Sequence, residues 1–145
     1  MNIRKILKTD LIGCAKILKN EYSVPPYNEN FVDNNELNYI NSKFENNADS
    51  SFVIKKDDKI IWFCFCSISY WTNWKQAVIE EIVISKDYQW LWLWKKLYNF
   101  VEKFLKELWV KSLMLWCHND SWAYSFHQKN GFFPSDEHTI MFKEI

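Results

Sequence analysis

Glycine is scarce in this chain, with 2 in 145 residues, where about 7% is usual. Turns that need positive φ, and loops whose backbone must approach a ligand closely, ordinarily draw on glycine. Arginine is scarcer still: Arg4 is the only one among 18 Lys and Arg residues. Against 18 Asp and Glu, the formal net charge is zero. No basic stripe therefore argues for nucleic acid, and no polybasic run argues for a membrane surface. Long apolar runs are missing too. The longest, Ile60 to Cys66, is far too short to span a bilayer. The opening residues, Met1 to Lys8, hold no apolar signal-peptide core, so the expected location is cytoplasmic.

Cysteine is present four times, as Cys14, Cys64, Cys66 and Cys117. Cys64 and Cys66 are two apart in a strand-like run, so they share a face and cannot easily pair with each other. Buried, reduced thiols are the expected state. Cys117 and His118 are neighbours, but no recognisable ligand spacing accompanies them, so no metal is expected.

The length suits one domain, residues 1–145, with one real core. Ile3 to Leu7 alternates as a short strand. Thr9 and Asp10 cap a helix that carries Leu11, Ala15, Leu18 and Tyr22 on one face. Val24, Pro25, Pro26 and Tyr27 break it. A second helix, from about Asp33 to Glu45, turns Leu37, Ile40 and Phe44 inward. Phe52–Ile54 and Ile60–Ser69 read as strands around a Lys56–Lys59 turn. After a turn at Tyr70–Lys75, Ala77–Ile84 is another strand. Leu93, Leu97, Phe100, Val101, Phe104, Leu105 and Leu108 then recur with helical period. Ser112–Leu115 is a strand, Asn119–Lys129 a helix, and Phe132–Phe133 and Thr139–Lys143 two closing strands. The expected order is β-α-α-β-β-β-α-β-α-β-β: an α/β fold with a mostly antiparallel mixed sheet and helices on both faces.

The chain is organised around Gln89-Trp90-Leu91-Trp92-Leu93-Trp94-Lys95, between a strand and the long helix. A helix N-terminus after a tight loop is an anion site, because its first N–H groups have no partner within the helix. Such a loop needs glycine for close backbone approach, and this one alternates tryptophan. With each Trp read as Gly, it resembles the Gln/Arg-x-x-Gly-x-Gly/Ala signature of the GNAT N-acetyltransferase family. A second stretch, Asn119…Ala123-x-x-Phe126-His127-x-Lys129-Asn130-Gly131-Phe132, resembles that family's closing motif. There His127 stands where the family usually has Tyr, and the Asn-to-Ala gap is slightly loose. The element order also resembles the family's, so the likeness covers nearly the whole chain.

Tryptophan is as abundant as glycine is rare, at 9 residues. Trp and Gly together make 11 of 145 residues, an ordinary glycine content beside the usual level of about 7%. The Trp positions resemble glycine positions. Trp74 follows Asn73 in a hairpin turn. Trp109 stands just past the long helix, where Gly takes the left-handed conformation. Trp62 interrupts a strand, Trp116 ends one, and Trp122 opens a helix. One reading makes all nine UGA codons that the source decodes as Gly. The other is a naturally Trp-rich protein, which sets large aromatics against local backbone needs.

The resemblance implies acetyl-CoA as co-substrate. It implies that the backbone of Ile82, Val83 and Ile84 holds the pantetheine arm, residues which otherwise are plain core strand. The loop Gln89, Trp90, Leu91, Trp92, Leu93, Trp94 and Lys95 would take the pyrophosphate. Asn119 would touch the cofactor or simply cap its helix. Acetyl transfer needs a base for the amine and a proton for the leaving thiolate. Glu80 and Glu81 are the base candidates. Strand neighbours face opposite sides, so at most one points at the acceptor, and Glu81 is favoured. The resemblance puts the thiolate acid at His127, with Tyr124 as fallback. Tyr22, Pro25, Pro26 and Tyr27 could line the acceptor site, for a primary amine of a small molecule or peptide. Neither nucleic acid nor membrane is an expected partner, and a monomer or homodimer is. Aromatic stacking of single-stranded nucleic acid is the rival that zero net charge opposes. A non-catalytic binding or interaction module is the rival if Trp92 and Trp94 are genuine.

Overall fold

The computed structural model describes residues 2–145, except that Leu91 is described by its backbone alone. The elements are β1 (Ile3–Lys5), α1 (Leu11–Tyr22), α2 (Asn35–Asn47), β2 (Ser51–Lys56), β3 (Lys59–Tyr70), β4 (Lys75–Ile84), α3 (Leu91–Glu107), β5 (Val110–Leu115) and α4 (Trp122–Lys129). The five strands form one sheet in the order β1-β2-β3-β4-β5. Pairing is antiparallel from β1 to β4. β5 joins β4 in parallel, as a strand returning through a crossover helix does.

Alternation along the central strands builds two cores, one on each face. Phe63 and Phe65 of β3 and Val53 of β2 pack under α1 and α2, with Leu11, Leu18 and Ile40. Trp62, Cys64, Cys66, Phe52 and Ile54 pack on the other face, with Leu93, Leu97 and Val101 of α3 and Phe126 of α4. Successive strand residues point to opposite sides, and this accounts for the partition. Trp62 is fully buried, and its indole N–H has no hydrogen-bond partner among the described residues.

Local signals explain the joints. Asp57 and Asp58 both have positive φ, the backbone of a two-residue hairpin turn. The next hairpin differs from the expected Asn73-centred two-residue turn. Residues 71–74 form a wider loop, in which Trp71 N–H donates to the Trp74 carbonyl at 2.8 Å. Asp10 precedes α1, yet its side chain does not cap that helix. It accepts both Arg4 guanidinium nitrogens, at 2.7 and 2.8 Å, and Leu7 N–H at 2.8 Å.

The two closing strands are not formed. Among the described residues, 132–145 join no strand, and the sheet ends at β5. A strand is held by a ladder partner and a buried face. Here Phe133, Met141 and Phe142 are 85%, 89% and 90% exposed, so the alternation at Thr139–Lys143 has no apolar surface to meet.

Candidate active site

β4 and β5 pair only as far as Ile79 and Leu115. Beyond that level β4 continues through Glu80 to Ile84 along β3 alone. The two strands part there and leave one edge of β4 without a strand neighbour. Ile82 N–H donates instead to the Glu81 carboxylate at 3.1 Å. The Ile84 carbonyl accepts from the Gln89 side chain at 3.0 Å. Val83 is buried in the core under α1 and α2.

Glu80 and Glu81 do not face opposite sides. The β3–β4 register runs Phe65 opposite Glu81 and then Cys66 opposite Ile79. Glu80 is therefore the extra residue of a bulge, which re-aims its side chain. Both carboxylates meet partners on the α1–α2 face. Glu81 accepts from the Tyr22 hydroxyl at 2.6 Å and from the Tyr39 hydroxyl at 2.9 Å. Glu80 accepts from Ser67 at 2.6 Å and Lys43 at 2.9 Å.

Their proton affinities shift in opposite directions. Glu81 is removed from water, which raises it above the ordinary glutamate range despite the bonds from Tyr22, Tyr39 and Ile82 N–H. Burial also raises Glu80, but Ser67 and Lys43 together outweigh it and hold that carboxyl low. Tyr22 and Tyr39 are pushed up by burial and then by the Glu81 charge, so both stay protonated and donate. Tyr27 packs tilted against Tyr22 with ring centroids 4.5 Å apart and meets His118 edge-on at 5.8 Å. The segment after α1 thus reaches across to the end of β5.

On the opposite face, His127 of α4 is buried, and its Nδ1 lies 2.7 Å from the Tyr98 hydroxyl of α3. Burial lowers His127 to about 4, so the ring is neutral at neutral pH and not an imidazolium acid. Tyr124 is half-buried on the same helix, while Asn119 is exposed in the turn before it. Ser121, not Asn119, holds the N-cap position of α4.

The loop before α3 is braced from α1. The Glu21 carboxylate accepts Lys86 N–H at 2.8 Å and the Gln89 side chain at 3.1 Å. No side chain caps α3 at Trp90. Trp90 and Trp92 stack at 5.8 Å, exposed to solvent. Leu93 and Trp94 are buried, and Lys95 is exposed. Trp94 packs against Trp122 and Phe126, with its indole N–H unpartnered among the described residues. The Leu91 side chain lies outside the described set.

Glu21, Tyr39, Lys43, Ser67 and Tyr98 were not legible as site residues, because long-range contacts bring them in. The available signal was weak: a tyrosine on a buried helix stripe usually seeks a partner for its hydroxyl.

Among the described residues no cluster of His, Cys, Asp and Glu is placed to hold a metal, and no helix is long and apolar enough to cross a membrane. No curated protein matches the sequence. Among solved structures, a "possible acetyltransferase" from Clostridium difficile 630 is similar over 99% of this chain and 97% of its own, with TM-score 0.79 and 14% identity. The aminoglycoside acetyltransferase AAC(6')-Iy, solved with a bisubstrate analog of CoA, is similar with TM-score 0.70 and 20% identity, over 99% of this chain and 97% of its own. AAC(6')-IG from Acinetobacter haemolyticus gives TM-score 0.72 and 14% identity, over 100% and 99%. These likenesses concern the fold. The model of the acetyltransferase (GNAT) family matches residues 9–132, and the chain, an acyltransferase by that match, belongs to this family.

Proposed function

We propose that the chain transfers an acetyl group from acetyl-CoA to a primary amine of a small molecule or peptide by direct attack. The observation that carries this reading is the parting of β4 from β5 after Ile79 and Leu115, beside a carboxylate held by two tyrosines. An amine must be neutral to attack, and a glutamate raised by burial is suited to take its proton. Glu81 is the base, and Glu80, held by Lys43 and Ser67, is the alternative. The edge of β4 supports strand-like binding of the pantetheine arm along Ile82, Val83 and Ile84. As the arm enters, Glu81 gives up Ile82 N–H. The first turn of α3, with Gln89 and Lys95, supports pyrophosphate binding, and Asn119 is the further cofactor contact. Tyr22, Pro25, Pro26 and Tyr27 line the acceptor side. The aminoglycoside acetyltransferases among the structural neighbours favour a polar small-molecule amine. Cytoplasmic location and a monomer or homodimer belong to the same reading.

A second reading is a non-catalytic module of the same fold. The stacked, exposed Trp90 and Trp92 on the turn expected to take phosphate favour it. Three observations favour recoded glycine instead. The buried indole N–H groups of Trp62 and Trp94 are unpartnered among the described residues, each at a cost of about 1–3 kcal/mol. Trp109 has φ 63. The codons decide between these origins position by position, since a UGG at any of the nine removes the recoding there.

Titration calorimetry with acetyl-CoA tests the function on two chains, this one and a variant with all nine Trp changed to Gly. The expected result is binding by the glycine variant. Equal binding by both removes the main motive for the recoding, and binding by neither, with both folded, overturns acetyl transfer.

A further inference from the structure

The acyl thioester, on the reading above, lies where β4 and β5 part. Glu81 meets that level from the α1–α2 face. On the other face Cys64, opposite Ile82, and Cys66, opposite Ile79, share a core with Tyr98 and Phe126. Tyr98 shares that core and lies within electrostatic reach of Cys64 and Cys66, and His127 is paired to it at 2.7 Å, so the pair packs on this face beside the strand residues that flank the split. His127 occupies the place where the closing motif's tyrosine would stand, and its ring is neutral.

Tyr98 is 2% exposed, and its hydroxyl has His127 Nδ1 as its one hydrogen-bond partner among the described residues. A buried hydroxyl must place its proton on an acceptor. The Tyr98 O–H therefore donates to Nδ1, which must carry a lone pair. The ring proton is left on Nε2.

We propose that Tyr98 is a positioning residue that fixes His127 as the Nε2–H tautomer, making that N–H the donor toward the departing sulfur. The inference rests on the acetyl-transfer reading. As the amine nitrogen bonds to the carbonyl carbon, the C–S bond breaks and its electron pair moves onto sulfur. Nε2–H donates a hydrogen bond to that growing charge and keeps its proton. The amine's proton goes to Glu81, and the thiolate takes its own from solvent. A tyrosine needs no such support, because its single O–H has no tautomer to choose. A histidine in its place does.

The test combines nitrogen-15 NMR of the imidazoles with kinetics on the full chain, or on its nine-fold Trp→Gly variant if only that binds acetyl-CoA. Three variants are needed: Tyr98→Phe, His127→Tyr and the double variant. In the parent, His127 is expected to show Nδ1 bare and Nε2 protonated. Tyr98→Phe is expected to mix the tautomers and lower kcat about tenfold, with KM for acetyl-CoA unchanged. In the His127→Tyr background the same change is expected to leave kcat unaltered. Protonated Nδ1 in the parent, an unaltered tautomer in Tyr98→Phe, or the same kcat loss in both backgrounds each overturns the role of Tyr98. A folded chain that binds no acetyl-CoA overturns the acetyl-transfer reading instead, whatever the tautomer.

Discussion

Glu80 and Glu81 are adjacent in sequence and share one face, and yet their proton affinities shift in opposite directions. Lys43 and Ser67 hold Glu80 ionised, whereas Glu81 has only neutral donors and loses water. A base must both bind and release a proton near the working pH, and that condition selects Glu81. Glu81→Gln keeps the shape and removes the basicity, so kcat is expected to fall by about 10²–10⁴-fold, and Glu80→Gln by much less. The pH dependence follows from the sign of the shift. A carboxyl raised above its ordinary range loses its basic form as pH falls through that raised value. The acid limb of kcat/KM should therefore lie above the range of an ordinary glutamate, and Glu81→Gln should abolish that limb. An acid limb at the ordinary range would remove Glu81 from this role. The shared face could not be read from the chain, because a period of two sends neighbours apart. The bulge depends on how β4 registers against β3, which is a property of the pair and not of the run Ala77–Ile84.

At the scale of elements, α3 shows what a sequence states plainly. Its stripe is long, so helical period alone places Leu93, Leu97, Val101 and Leu105 in the core, and all four are buried. Its end is also legible. Leu108 and Trp109 N–H groups close back on Leu105 and Lys106 carbonyls, and Trp109 has φ 63, the left-handed conformation expected just past a helix. A bulky side chain there opposes its own backbone by about 1–2 kcal/mol. Trp109 is 76% exposed, so it recovers little by burial. Trp109→Gly is expected to raise stability by about 1 kcal/mol, read as a higher urea midpoint at constant slope. A lower midpoint would mean that the exposed indole contributes more than its strain costs. Short elements were less legible. The helix expected from Asn119 begins at Trp122, because Ser121 and not Asn119 takes the N-cap. The start of α2 is Asn35, behind two residues of positive φ, Asp33 and Asn34.

For the molecule as a whole, the sheet separates two cores, with the Glu81 carboxylate on the α1–α2 face and the Tyr98–His127 pair on the other. Everything needed for that lies before Phe132. Beyond it, residues 133–145 are exposed throughout, and among the described residues their hydrogen bonds run between near neighbours such as Ser135 and His138. Such a segment buries little apolar surface within the chain and so contributes little to folding. It does present Phe133, Ile140, Met141 and Phe142 to solvent, on a chain of zero formal net charge and pI near 6.8. Apolar exposure without net charge promotes association. Removing residues 133–145 is therefore expected to leave the urea midpoint unchanged while lowering the apparent mass in sedimentation at neutral pH. A fallen midpoint with the mass unchanged would show the opposite, that Thr139–Lys143 finds a ladder partner on its own chain. The obvious site for it is the outer edge of β5, where the sheet now ends.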